Sequence, residues 1–238
     1  CQSQRGENGS FGIYTADCEA IEDELEKALH FINNKQYTPV FSSGRTDKGV
    51  HAKGQKAHFD IDVDITEYKL KRALNSNLPD DIYVIDAKKV NDSFHARYMV
   101  KEKTYEYILN MGEFNPIEKN YVFQYGKKLN IKKMQKAIKY FIGTHNFKSF
   151  TPAKDVRNNY VRTIYDASII EQDEKIIFRF TANGFIKYQI RNMVGYLIKV
   201  GEHKKKGEDI PKILKMEDRR YASITAHSEG LYLADVKY

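Results

Sequence analysis

Residues 37–64 read YTPVFSSGRTDKGVHAKGQKAHFDIDVD and combine two predicted strands with a charged loop. The strands are predicted at Tyr37–Phe41 and Lys53–Asp64, and the second alternates apolar and polar residues with the period of two that is typical of a half-buried strand. The loop between them, Ser42–His51, is bracketed by two glycines, which allow backbone angles that other residues resist. The stretch therefore predicts two strands that present a charged loop.

The centre of this loop holds one carboxylate, Asp47, which follows Arg45 by two residues and directly precedes Lys48. An opposite charge within a few ångströms favours the ionised form of a carboxylate. An ionised and positioned carboxylate can act as nucleophile, base or metal ligand. The alternative is a charged hairpin tip without a catalytic role, because most loops are not catalytic. The rest of the chain has to decide between the two.

The composition is that of a folded globular protein of one large or two small domains, with 238 residues, 41% hydrophobic and 30% charged. No apolar run approaches the roughly 18 residues that a membrane helix needs. Two cysteines, Cys1 and Cys18, give neither a disulfide framework nor a metal-ligand spacing, and seven histidines include no His-Glu-x-x-His. We therefore expect a cytoplasmic protein without a membrane segment or a bound metal.

The net charge of +7 favours a polyanionic partner, although ordinary solubility would also account for it. Aromatic residues lie among the cations in two places, Phe94–Tyr98 and Lys101–Tyr107. Aromatic faces stack on unpaired bases while cations hold the phosphate backbone, so these stretches favour RNA. Within the first stretch Arg97 is either a phosphate or base contact or a surface cation.

Hydrophobic periodicity predicts alternating helices and strands. The first helix has a buried stripe through Leu25 and Leu29, with Glu22 and Glu26 on its other face. The order predicts an α+β fold with an antiparallel sheet and helices on one face. Helices are predicted at 17–33, 66–75, 130–142 and 186–200, and strands at 37–41, 53–64, 81–90, 97–110, 162–170, 175–181 and 230–238.

Two more side chains are candidates for a site. Tyr105 shares one strand face with Tyr107, and both are either core residues or, if one faces a cleft, able to stack on a base or handle a proton. Arg191 lies beside the buried stripe of the helix at 186–200. Since an unpaired buried charge is costly, it needs a carboxylate partner, which is either a structural one or Asp47.

Nine motifs in order along the chain resemble the TruA family of tRNA pseudouridine synthases. They span nearly the whole chain, and the ordered set is far more specific than any one of them. The motifs are Gly44–Ala52, Gly54-Gln55, His58-Phe59, Phe94–Arg97, Lys103–Tyr107, Gly143–Phe150, Val161–Ile164, Gln189–Gly195 and Glu229–Leu233.

The resemblance implies two ferredoxin-like or RRM-like α+β halves, 1–95 and 96–238, that form one extended antiparallel sheet with helices on one face. It implies a basic central cleft for tRNA and a homodimer. The implied reaction converts uridine to pseudouridine at positions 38–40 of the tRNA anticodon stem-loop, by base flipping and without cofactor or metal. The family's chain opens with a strand, a turn and an aromatic-Gly-Trp-Gln stretch, and Cys1–Gln4 resemble the end of that stretch, with Cys1 where Trp is usual. The family's first strand is therefore expected to be absent from this sequence, and Arg5–Thr15 is expected to form a loop.

By residue, the resemblance makes Asp47 the essential carboxylate and Tyr105 the ring that stacks on the target uracil and assists proton loss. It makes Arg45 the residue that helps to expel the target nucleotide, and Arg191 the partner of Asp47. For the first step of Asp47 three routes stay open: attack at C1′, attack at C6 of the ring, or removal of the 2′ proton.

Two other classes of protein fit parts of the pattern. A non-catalytic RNA-binding module explains the charge and the aromatic strands, but leaves unexplained a carboxylate inside a cationic loop, where it would repel phosphate. A carboxylate hydrolase usually needs a second carboxylate or a metal. Asp60, Asp62 and Asp64 share a strand face and are expected to be solvated.

Overall fold

The computed structural model describes residues 7–15 and 21–238, and the side chains from residue 21 onward. The chain packs as two compact units. The first holds the described residues up to Val100 together with Leu233–Tyr238, and the second holds Lys101–Tyr232. The predicted domain boundary lies between residues 95 and 96, whereas the two units divide five residues later, between Val100 and Lys101. The last six residues, Leu233–Tyr238, pack with the first unit. The predicted α+β class with an antiparallel sheet is confirmed.

The described residues form the following elements. The strands are β1 (Glu7–Thr15), β2 (Phe41–Ser42), β3 (His51–Ile61), β4 (Ile82–Val90), β5 (Glu102–Asn110), β6 (Phe123–Gln124), β7 (Gly143–Asn146), β8 (Val161–Gln172), β9 (Lys175–Ala182) and β10 (Leu231–Lys237). The helices are α1 (Ile21–Ile32), α2 (Glu67–Asn77), α3 (Ile131–Ile138), α4 (Gln189–Gly201) and α5 (Ile210–Met216), with 3₁₀ turns at Lys139–Phe141, Lys148–Phe150, Gly207–Asp209 and Arg219–Ala222.

The first unit is a sheet in the order β4-β1-β3-β10, with β2 paired to β3 outside this order. An added Cβ at Gly54 of β3 would lie 2.5 Å from the carbonyl oxygen of Ala234 in β10, so the close approach of these strands requires glycine. Helices α1 and α2 pack on the sheet through one core. Its buried members are Leu25, Ala28, Leu29, Val40, Ala57, Phe59, Ile61, Leu70, Leu74, Ile82, Val84 and Ala87.

The segment before α1 corrects one expectation. Glu7–Thr15 forms β1, which is paired antiparallel with β3 on one side and with β4 on the other. The predicted loop at Arg5–Thr15 is therefore wrong over these residues, and a strand does precede α1. Hydrogen bonding on both sides supplies partners for the backbone, which a polar sequence alone does not reveal. The predicted helix start at Asp17 lies outside the described residues.

The second unit is a sheet in the order β5-β9-β8-β7, with β6 parallel to β5. Phe147 and Phe150, which belong to the motif Gly143–Phe150, are both fully buried. The apolar stripe predicted for α4 is likewise buried at Ile190, Met193 and Leu197. Helix α4 begins three residues later than predicted, because Tyr188 has a left-handed backbone with φ of 59°. The strand predicted from Arg97 begins only at Glu102.

Candidate active site

The loop that carries Asp47 leaves the sheet through a very short strand. β2 has two residues, and Phe41 and Ser42 lie opposite His58 and Ala57 of β3. The backbone N–H of Ser43 donates to the carbonyl of Lys56 at 2.7 Å, which extends this pairing by one residue. At the far end of the loop the N–H of Val50 donates to the carbonyl of Asp47 at 3.1 Å, with Gly49 at a φ of +74°. Asp47 therefore lies in a closed turn that depends on a glycine.

A buried amide holds the start of this loop. Gln55 lies on β3 with almost no exposure, and its Nε2 donates to the carbonyl of Gly44 at 2.8 Å. Its Oε1 accepts a short hydrogen bond from the buried Ser43 hydroxyl and another from the Lys56 N–H at 3.2 Å. We call the Ser43–Gln55–Gly44 arrangement the amide clamp. It fixes the backbone three residues before Asp47 to the sheet.

Two carboxylates of α1 bind the other side of β2. Glu26 accepts from the N–H of Val40 at 3.0 Å, and Glu22 accepts from the N–H of Ser42 at 3.2 Å and from its hydroxyl at 2.5 Å. The sequence places these two glutamates on the helix face opposite the buried stripe, and in the structure the β2 segment lies against that face. Glu22 also lies 3.9 Å from Nε of Arg45, whose side chain is 84% exposed. The Arg45 side chain therefore lies mostly in solvent and makes one weak ionic contact, from its Nε to Glu22.

Aromatic and imidazole rings pack beside the loop. His58 is buried, stacks on Phe41 with centroids 5.2 Å apart, and lies 4.5 Å from the His95 ring. Its Nδ1 accepts from the N–H of Ala96 at 3.1 Å. Burial, and then the nearby His95, lower the pKa of His58, although Asp60 and a hydrogen bond with the Phe41 backbone oppose the shift. The ring is therefore neutral at neutral pH and serves as a fixed packing element.

Arg97 lies in a turn of the first unit rather than at the start of a strand. Its side chain is exposed, and its backbone N–H donates to Nδ1 of His95 at 3.1 Å. The N–H of Met99 donates to the carbonyl of His95 at 3.1 Å, which closes the turn. The ring of Tyr98 packs on His95 at a centroid distance of 4.2 Å. Arg97 and Tyr98 thus project from a hydrogen-bonded turn.

In the second unit, Tyr105 lies on β5 opposite Phe180 of β9. Its ring meets that of Phe185 edge to face at 5.3 Å, and 9% of the residue is exposed. Tyr107 on the same face is completely buried, and burial raises its pKa well above the usual value. Of the two tyrosines weighed from the sequence, Tyr107 is a core residue and Tyr105 retains a small exposed edge.

Arg191 lies in the first turn of α4 and is held on two sides. Its Nε donates to the carbonyl of Ala226 at 2.8 Å, and the N–H of Ala226 donates back to the Arg191 carbonyl at 2.9 Å. The guanidinium lies over the ring of Tyr188, 4.8 Å from the centroid, at cation–π distance. The direction of Arg191 is therefore set by the segment around Ala226 and by a residue with a left-handed backbone.

A polar network holds that segment. The buried Asn192 donates to the carbonyl of Phe150 at 2.6 Å, and its Oδ1 accepts from Thr225 at 2.7 Å and from Arg219 at 3.0 Å. Arg219 also donates to the Thr225 hydroxyl at 2.9 Å. Burial lowers the pKa of Arg219. Because Thr225 precedes Ala226, these contacts fix the carbonyl that receives Arg191. Asn192, Arg219 and Thr225 were not among the residues predicted for the site.

The five predicted site residues thus divide between the units. Arg45, Asp47 and Arg97 belong to the first, and Tyr105 and Arg191 to the second. The ion pair of Asp47 with Arg191 stays a prediction. Over residues 21–238, His, Cys, Asp and Glu side chains form no group of three that could hold a metal ion. No helix in the described part of the chain has the length and apolarity that would let it span a bilayer.

Comparison with known proteins identifies the family. The model of a family described as tRNA pseudouridine synthase matches residues 2–99 and 137–238. The chain belongs to the tRNA pseudouridine synthase family. The predicted TruA resemblance and the predicted enzyme class, an isomerase that makes pseudouridine in tRNA, are thereby confirmed. Of the predicted site residues of this synthase, Tyr105 lies between the two matched ranges and the other four lie inside them.

Individual relatives cover almost all of the synthase. "tRNA pseudouridine synthase A 1" of Bacillus cereus is 45% identical over 219 residues, which are 92% of this chain and 89% of that protein. "tRNA pseudouridine synthase A" of Anoxybacillus flavithermus is 42% identical over 218 residues, with the same two coverages of 92% and 89%. A solved Cbf5-Nop10-Gar1 complex matches 95% of this chain and 49% of the other at 12% identity and a TM-score of 0.42, too distant a likeness to add to the assignment.

Proposed function

We propose that this synthase isomerises uridine in the anticodon stem-loop of tRNA, at positions 38–40, with Asp47 as the essential carboxylate. The observation that carries the proposal is the amide clamp, which fixes the backbone of the Asp47 loop to β3 inside the segment that the family model matches. A clamped turn places a carboxylate reproducibly, as a reacting group requires.

The reaction needs no external reactant. The bond between N1 of uracil and C1′ breaks, and a bond between C5 and C1′ forms. The proton on C5 leaves, and N1 gains a proton, so atoms and electrons balance within the nucleotide and water. We therefore propose that the chain works without cofactor or metal.

Two exposed cations, Arg45 and Arg97, are available to contact RNA. The target base has to leave the stack, which costs a few kcal/mol. Arg45, mostly in solvent beside the Asp47 loop, would offset this by holding the place of the expelled nucleotide, and Arg97 would contact phosphate or base. Their electrostatic contribution makes binding dependent on salt.

The second unit would supply the remaining groups. Arg191 is held at its backbone and Nε, and we propose that its guanidinium keeps Asp47 ionised and directed at the substrate. The exposed edge of Tyr105 would contact the target uracil and assist loss of the C5 proton. We further propose that the synthase works in the cytoplasm as a homodimer.

The test compares Asp47→Asn with Asp60→Asn, a change at an exposed carboxylate in the same unit. Unmodified tRNA labelled with tritium at C5 of uracil reports turnover, and filter binding reports affinity. We expect Asp47→Asn to abolish tritium release with tRNA affinity nearly unchanged, and Asp60→Asn to behave like the wild type. Release at the wild-type rate by Asp47→Asn would overturn the assignment.

Tyr105→Phe separates two roles of the tyrosine. We expect slower tritium release with tRNA binding retained, because the hydroxyl is lost and the ring stays. Loss of binding instead would limit Tyr105 to stacking or packing. The positions of carbodiimide-dependent stops in reverse transcription identify the uridines that are modified, and stops outside the anticodon stem-loop would contradict the proposed substrate site.

A further inference from the structure

Tyr98 presents an aromatic ring to solvent on a built support. The residue is 78% exposed, yet its ring lies 4.2 Å from the His95 ring at an interplanar angle of 39°. His95 in turn lies 4.5 Å from His58 and 5.7 Å from Phe41 by ring centroids. One side of the Tyr98 ring is therefore backed by packed rings, while most of the residue remains in water.

The support is fixed by hydrogen bonds as well as by packing. The backbone N–H groups of Ala96 and Arg97 donate to the imidazoles of His58 and His95, at 3.1 Å each. The hydroxyl of Tyr238 donates to the carbonyl of Ala96 at 2.7 Å. The turn that carries Tyr98 is thus held by contacts to three side chains. An aromatic ring held in this way loses little conformational freedom when a ligand stacks on it.

Isolated exposed tyrosines are common and need no explanation. What distinguishes Tyr98 is the packing of its ring on His95. Tyr68 on α2 is similarly exposed, at 69%, and has the guanidinium of Arg72 5.8 Å from its ring. Tyr98 instead packs on the His95 ring, which itself packs on the rings of His58 and Phe41, and the exposed Arg97 lies beside it in the chain. A planar, apolar face next to a free-standing cation suits a nucleobase whose phosphate lies within reach of that cation.

We propose that Tyr98 is a stacking platform for an unpaired base of the tRNA substrate. The base is a neighbour of the target uridine, because Phe41 at the foot of the ring cluster leads directly into the Asp47 loop. The proposal rests on the proposed function, since it assigns a binding contact to the same RNA. It names a base rather than a duplex, because only an unstacked base offers its face to an aromatic side chain.

The absence of tryptophan from the sequence allows a direct optical test. Tyr98→Trp introduces a single fluorophore at the platform, and Tyr68→Trp introduces one at the matched exposed tyrosine. Each variant is titrated with unmodified tRNA and with a fully paired RNA duplex of equal charge. We expect tRNA to quench the fluorescence of Tyr98→Trp in a saturable way, little quenching of it by the duplex, and no quenching of Tyr68→Trp.

Steady-state kinetics provide the second measurement. Tyr98→Ala should raise KM for tRNA about 5- to 150-fold, the range that loss of one base–aromatic stack spans, with kcat nearly unchanged. Tyr98→Phe should restore the wild-type KM, because the ring suffices. If Tyr98→Trp binds tRNA without quenching, or Tyr98→Ala keeps the wild-type KM, the platform is refuted. The proposed function fails separately, if the wild-type protein releases no tritium from labelled tRNA.

Discussion

Removal of the amide clamp should uncouple the position of Asp47 from the sheet. In Gln55→Leu the side chain keeps a similar volume but can neither donate to Gly44 nor accept from Ser43 and Lys56. A buried polar group that loses its partner costs about 1–3 kcal/mol. With the Gly44 carbonyl and the Ser43 hydroxyl both affected, we expect a loss of about 2–6 kcal/mol in the free energy of unfolding.

The catalytic effect should exceed what this instability explains. Misplacement of a catalytic group by about 1 Å can reduce the rate by about 100-fold, so kcat should fall by tenfold or more while KM for tRNA stays within about twofold. Tritium release under saturating tRNA measures kcat, and urea unfolding followed by circular dichroism measures stability. The kinetic assays are run without urea, at a temperature well below the thermal unfolding midpoint of the variant, so that the folded fraction is constant.

A double-mutant cycle with Ser43→Ala tests whether the clamp acts as a unit. Residues in one hydrogen-bonded network show interaction energies of about 0.5–3 kcal/mol, whereas independent sites are additive. We expect Gln55→Leu with Ser43→Ala to be less harmful than the sum of the two. Additive effects on stability, or an unchanged kcat in Gln55→Leu, would refute the reasoning.

Three further predictions concern the second unit. Thr225→Val should lower kcat several-fold with KM little changed, because the segment that holds Arg191 loses a hydroxyl bonded to Asn192. Thr225→Ser keeps the hydroxyl and should have the wild-type kcat. Equal kcat values in the two variants would contradict this. Gly195→Ala should cost about 1–3 kcal/mol in stability, since its Cβ would lie 2.8 Å from the Ile224 carbonyl oxygen, whereas Gly184→Ala, whose nearest neighbour would be at 3.9 Å, should be near neutral by thermal unfolding. Burial raises the pKa of Glu202, but hydrogen bonds from Lys199, Tyr125 and Lys204 outweigh it and lower the pKa from 4.5 to about 2. The stability that Glu202 contributes is therefore present above about pH 4.5 and is lost as the pH falls toward 2, so the difference in unfolding free energy between wild type and Glu202→Gln should shrink over that range.

Much of the architecture could be predicted because burial follows simple periods. The alternation at Ala57, Phe59 and Ile61 predicted β3, and these side chains are buried. Gln55 lies two residues before Ala57 and therefore on the same, buried face of the strand. A polar residue at such a position indicates a buried hydrogen-bonding role. Gln55 was nevertheless not among the predicted site residues.

Other features depend on neighbours that a linear pattern does not contain. Glu22 and Glu26 have the spacing of an exposed helix face, and only the path of the β2 segment turns them into hydrogen-bond acceptors. The left-handed backbone of Tyr188, which delays the start of α4, has no sequence signal comparable to a glycine. The exposed Asp60, Asp62 and Asp64 fit the predicted solvated face.

The glutamates of α1 also have a consequence for association between chains. In an antiparallel ladder alternate N–H groups point away from the partner strand, and here those of Val40 and Ser42 are taken by Glu26 and Glu22. A strand of another molecule could pair with the side of β2 that faces away from β3 only by displacing these two charge-assisted hydrogen bonds. It would also have to approach the two carboxylates. Helix α1, whose glutamates bind the segment before the Asp47 loop, thus also protects this edge from pairing with a strand of another molecule.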